Sequence, residues 1–141
     1  MEKGKKIGFR ILYADGSVSD VWDPDKHPKM FEFKEGFFVS LADAPKSKNW
    51  HESIRDSANE KYGAYSCRMP TGNEWPELYE KKPFIDDIRR QLGFLPLSTN
   101  GYYWASTTKN SCLAEVCYLK TGWVGCDGKM GHGHILLVAD I

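Results

Sequence analysis

The sequence lacks an apolar run long enough to cross a membrane as a helix, so membrane insertion is not expected. It also lacks an excess of positive charge, since Lys plus Arg and Asp plus Glu number 19 each. Nucleic-acid binding relies on basic side chains to neutralise phosphates, and this balance argues against it. No internal repeat or low-complexity tract is present. The first residues, Met1 to Lys6, are charged but lead into strand-like residues, not an apolar signal core. As written the chain reads as cytoplasmic, although a trimmed surface or exported protein would look the same. Only four cysteines occur, Cys67, Cys112, Cys117 and Cys126. They allow three pairings, and without an export signal free thiols are expected.

What the sequence does contain suits one domain over residues 1–141. Hydrophobic residues make up 41% and charged residues 27%, which is neither a disordered nor a membrane composition. Aromatics reach 13% with five Trp, so a few large side chains are expected to core a loop-rich fold.

The chain turns on Arg68-Met69-Pro70-Thr71-Gly72-Asn73-Glu74-Trp75. Thr71 and Glu74 have capping-box spacing, and Pro70 favours an extended Met69 before it. Trp75, Leu78 and Tyr79 then share one helical face. Pro76 lies where a helix begun at Thr71 would need its amide, which predicts a short or kinked element. Pro83 opens another helix with Phe84, Ile85, Ile88 and Leu92 as its buried stripe, and Gly93 ends it.

Upstream, Ile7, Phe9, Ile11 and Tyr13 alternate as a strand. Asp15-Gly16 signals a hairpin with positive φ at both central residues, and Val18 to Trp22 returns. Two more strands are expected between Met30 and Leu41, turning at Glu35-Gly36. Trp50, Ile54, Ala58 and Tyr62 recur every fourth residue and predict a helix stopped by Gly63. Downstream, Gly101 to Thr108 and Leu113 to Leu119 read as strands. Trp123-Val124 is short, and Asp127-Gly128 is a second hairpin signal. The apolar run Ile135 to Ala139 predicts a buried strand. Apolar strands at both ends suggest that the termini pair with each other in a central sheet, an α+β arrangement.

Arg68-Met69-Pro70-Thr71, Glu74-Trp75 and Gly101-Tyr102-Tyr103-Trp104-Ala105-Ser106-Thr107 resemble the R-L-P-T-x-x-E-W and G-Y-Y-W-S-S-T motifs of a bacterial family of unknown function. That family is related to the formylglycine-generating, sulfatase-modifying enzymes and to the C-terminal domains of collagen-like adhesins. The resemblance covers about residues 48 to 141, and the opening hairpin looks like that of gut-bacterial members. It implies a C-type-lectin-like fold: paired terminal strands, two or three helices and a short loop-rich second sheet. Met69 replaces the motif's Leu, Pro76 is unusual inside the helix, and the closing strand lacks the arginine often found there. The Glu-Pro-Asn and Trp-Asn-Asp triplets of calcium-dependent sugar-binding lectins are missing, so calcium-dependent sugar binding has no motif support; no cofactor is expected.

Most motif residues read as structural. Trp75 and Trp104 are expected to be core aromatics locking a helix against the late sheet. Arg68 is expected to bond backbone carbonyls or an acidic neighbour. Cys112 and Cys117 share the five-residue separation of the copper-binding cysteines in formylglycine-generating enzymes. On one strand, though, that offset puts them on opposite faces. Cys126, His132 and His134, with Cys117, form a weak metal alternative that matches no zinc-finger spacing. In the fold this chain resembles, ligands meet the late loops, which here carry Lys109, Asn110, Trp123, Asp127, Lys129 and His132. Trp123 could stack on a sugar or anchor a protein, or it could plug the small sheet. No acid, base and nucleophile set converges, so the expected role is a non-enzymatic domain for a protein or glycan ligand, adhesin-like or surface-associated. The alternatives are a copper-dependent thiol oxidase and a phage-type receptor-binding protein with diversified late loops.

Overall fold

The computed structural model describes residues 1–141. Four strands come first: β1 (Lys6–Tyr13), β2 (Val18–Val21), β3 (Pro28–Lys34) and β4 (Phe37–Ser40). Helix α1 (Trp50–Asn59) and the small strands β5 (Lys61–Tyr62) and β6 (Tyr65–Ser66) follow. Then come α2 (Trp75–Glu80), α3 (Lys82–Gln91), β7 (Tyr103–Thr108), β8 (Leu113–Tyr118), β9 (Trp123–Gly128) and β10 (Val138–Asp140). The result is an α+β fold with three antiparallel sheets, ordered β10-β4-β3-β1-β2, β5-β6 and β7-β8-β9.

The terminal strands share the large sheet but are not neighbours, which corrects the expected pairing. β10 pairs with β4, setting Val138 opposite Val39 and Asp140 opposite Phe37. Every residue of β4 is buried. Such a strand needs a partner on each edge, because its backbone groups find no water. β3 fills one edge and β10 the other.

Several local expectations also change. At Asp15-Gly16 only Gly16 has positive φ, at 90°. The amide of Tyr13 donates to Ser17 O at 2.9 Å, and Asp15 Oδ1 accepts from the Ser17 amide at 2.9 Å. The aspartate side chain thus closes a wider turn in which Gly16 alone takes the left-handed backbone.

Helix α1 starts where Asn49 Oδ1 accepts from the Glu52 amide, but it stops at Asn59. Its deepest residues are Ser53 and Ser57, while Ala58 is exposed. The two hydroxyls donate to the carbonyls of Asn49 and Ser53 at 2.7 and 2.6 Å, so they are buried with their hydrogen bonds made. Gly63, at φ 62°, serves the β5–β6 turn and not the helix end.

The capping box is half made. Glu74 Oε1 accepts from the Thr71 amide at 2.8 Å, while the Glu74 amide donates to the main-chain oxygen of Thr71 at 3.1 Å. α2 therefore begins at Trp75, and Pro76 falls in its first turn, where a missing N–H leaves no bond unmade. In α3, Ile85, Ile88 and the capping Leu92 are buried, but Phe84 is exposed. Asp127-Gly128 is no turn. Both residues pair with β8, and the β8–β9 turn closes at Gly122 with φ 79°. In Ile135–Ala139 only the last two residues join a strand, although Ile135 and Leu136 are also buried.

Three apolar clusters result. The largest joins Phe31 and Val39 of the large sheet to Trp75, Ile85, Tyr103 and Leu136. A second, with Leu12, Met30, Phe38, Cys67 and Ala139, covers the other face of the large sheet. The third holds Trp104, Ala114 and Val116 of the late sheet with Met69 and Ile135, and Trp50 and Ile54 of α1 pack against it. Alternation along β7 sends Tyr103 into the first cluster and Trp104 into the third.

Candidate functional site

The third cluster runs outward along the late sheet into a row of aromatic rings. Trp104 is fully buried, and its ring lies 5.1 Å from Tyr102. Tyr102 is 5.4 Å from Tyr118, and Tyr118 is 5.5 Å from Trp123. Cross-strand pairing makes the last contact, because Tyr118 lies directly opposite Trp123. Burial decreases along the row, and Trp123 at its outer end is 52% exposed.

Glycines make room for these rings. A Cβ on Gly125 would come within 2.1 Å of the Trp123 ring, so the indole lies across Gly125. A Cβ on Gly131 or Gly133 would meet Tyr102 at 2.5 or 2.7 Å. Asp127, two residues past Gly125, supplies the polar end. Its Oδ2 accepts from the Tyr118 hydroxyl at 3.2 Å, and its Oδ1 from the Gly128 amide at 2.8 Å. Burial, then Asp127 and Tyr118, push the Tyr102 hydroxyl up to about 12. Burial and the bond to Asp127 also raise Tyr118. Both phenols are therefore neutral donors near pH 7.

Of the six late-loop residues singled out in the sequence, Trp123 and Asp127 come together here. Lys109 and Asn110 sit in the β7–β8 turn, at the other end of the sheet. The six residues of β9 separate that end from Trp123, roughly 17 Å at strand rise. Asn110 builds its own turn, accepting from the Cys112 and Leu113 amides at 2.8 and 2.9 Å. Lys129 is buried, with its ammonium 4.5 Å from the centre of the Trp50 ring. It therefore ties the late loop to α1. His132 is exposed outside the row. His134 Nε2 lies 2.6 Å from Asn100 O.

The cysteines do not share a site. All four are free. Cys112 is exposed before β8, whereas Cys117 is buried in the main core. Five residues of extended chain hold them on the order of 15 Å apart. Burial pushes the Cys117 thiol up to about 11, away from the thiolate that binds metal. No three or more His, Cys, Asp or Glu side chains gather where they could hold a metal ion.

Sequence reasoning missed Tyr118, Tyr102 and Gly125. The signal was there in part, since a turn closed by Gly122 places Tyr118 opposite Trp123. The Asp127-Gly128 hairpin reading broke that register. No helix is long and apolar enough to cross a membrane. Among known proteins, no family model and no curated protein matches the chain.

Proposed function

We propose that this is a non-enzymatic binding domain of C-type-lectin-like fold that takes a glycan or protein ligand on the aromatic row of its late sheet. The observation carrying this reading is the pose of Trp123. The residue is exposed, yet Gly125 lies beneath its indole and Tyr118 beside it, so little freedom is left to lose on binding. Trp and Tyr are enriched in binding hot spots. The Asp127 carboxylate and the lone pairs of the Tyr118 oxygen, whose proton goes to Asp127, add acceptors beside the ring for the hydroxyls of a sugar or the N–H groups of a peptide. The family resemblance in Arg68–Trp75 and Gly101–Thr107 supports the lectin-like assignment. The separation of Cys112 from Cys117 weighs against the thiol-oxidase alternative.

The test is a glycan array with a parallel protein-ligand screen, using the full chain and its Trp123→Ala variant. A ligand lost by at least about tenfold on substitution, with the fold intact, supports the reading. Ligands bound equally by both proteins defeat it.

A further inference from the structure

A cleft of about 350 Å³ lies between the end of β4, the loop after it, the last turns of α1 and the Ile135–Leu137 segment. None of Tyr102, Tyr118, Trp123 or Asp127 lines it, so it is separate from the aromatic row. Leu41, Phe94, Ile135 and Leu137 make its walls apolar.

Asp43 enters this cleft with its carboxylate fixed from behind. Arg89 Nη2 donates to Oδ1 at 3.1 Å, and the Tyr103 hydroxyl donates to Oδ2. The Arg89 side chain is 1% exposed. Its Nη2 also reaches Ser40 O at 2.9 Å, but its Nε has no partner. Burying a guanidinium with an unmade bond is costly, and a neutral tie would hold the loop with less penalty. The arrangement does hold one carboxylate in a set direction, with lone pairs to spare on both oxygens.

The charges here cancel. Arg89 offsets Asp43, and Lys48 pairs with Asp56 on the wall. Lys29 and Glu60 remain, Glu60 accepting from the Tyr62 hydroxyl at 3.1 Å. A charged ligand gains no net attraction from such a set and gives up its hydration. A neutral, hydroxyl-rich molecule can donate to Asp43 and Glu60 and accept from the two lysines. Its C–H face can lie on Leu41, Ile135 and Leu137.

We propose that this cleft binds a neutral, hydroxyl-rich ring compound of monosaccharide size. Its volume sits at the small end of the range for ligand pockets. The site does not depend on the role given to the late sheet.

The experiment follows methyl chemical shifts of the full chain titrated with glucose, galactose and inositol, and with glucosamine and glucuronate as charged probes. At least one neutral probe is expected to shift the Ala44, Ile135 and Leu137 methyls saturably, with an affinity insensitive to salt. Ala42→Trp, on the exposed rim, should weaken that probe by at least about tenfold. The wild-type shifts can be read whether or not the rim variant folds. Silence at those methyls with every neutral probe overturns the proposal. So does tighter binding of a charged probe, or a folded Ala42→Trp protein that binds unchanged.

Discussion

The indole N–H of Trp75 donates to the main-chain carbonyl of Trp104 at 3.4 Å, while the two rings belong to different cores. Trp75 packs with Tyr103, 5.4 Å away, and Trp104 lies across β7 with Ala114 and Val116. The helix is thus locked to the late sheet through one indole and the other residue's backbone. Trp75→Phe should leave the Trp104 carbonyl without its donor and open a small void. A loss of about 1–3 kcal/mol is expected, read as a lower midpoint in urea denaturation.

Arg68 ties three parts of the chain together. It donates to Glu74 at 2.7 and 2.9 Å and to Asp140 at 3.0 and 3.3 Å. Burial alone would raise the Glu74 carboxyl. The Arg68 bond, the Thr71 amide and the Arg68 charge outweigh burial and hold it below its ordinary value. A carboxyl depressed in the folded state stabilises above its unfolded pKa, and that contribution is lost as pH falls through the folded value. Urea stability should therefore drop as acid is added below about pH 4.5, and Glu74→Gln should flatten that part of the curve.

Two hairpin turns meet at glycines. A Cβ on Gly63 would lie 2.7 Å from the Gly16 Cα, and Gly63 has φ 62°. Gly63→Ala combines a left-handed backbone with a steric clash, so a destabilisation of about 2 kcal/mol or more is expected in thermal or urea melts. Gly4→Ala shares the positive φ but has no neighbour within 4 Å, and should cost less.

Gly125→Ala should act on Trp123 without touching the core. A methyl at that position collides with the indole at 2.1 Å, so the ring must swing off the strand. Shifted Trp fluorescence and loss of the ligand found for Trp123 are expected, with thermal stability nearly unchanged.

Thiol labelling should separate the cysteines by burial. Burial, aided at Cys67 by Glu60, pushes the Cys67 and Cys117 thiols up to about 11. Iodoacetamide at neutral pH should modify exposed Cys112 first and half-buried Cys126 next. Cys67 and Cys117 should react only on unfolding, as mass spectrometry would show.

The α+β class and the positions of the principal strands and helices could be read from Ile7 to Tyr13, Phe31 to Leu41, Ile85 to Leu92 and Tyr103 to Thr108, because local periodicity reports which residues seek burial. Trp75 was legible as a core residue for the same reason. The sequence could not say that β10 would sit beside β4, since many strands are apolar enough to take that edge. It could not turn α1 onto Ser53 and Ser57, whose burial depends on bonds to their own helix. Nor could it pair Tyr118 with Trp123 or bring Arg89 and Tyr103 to Asp43. Those contacts join residues far apart in the chain, or depend on the register of one turn, and only the folded packing decides them.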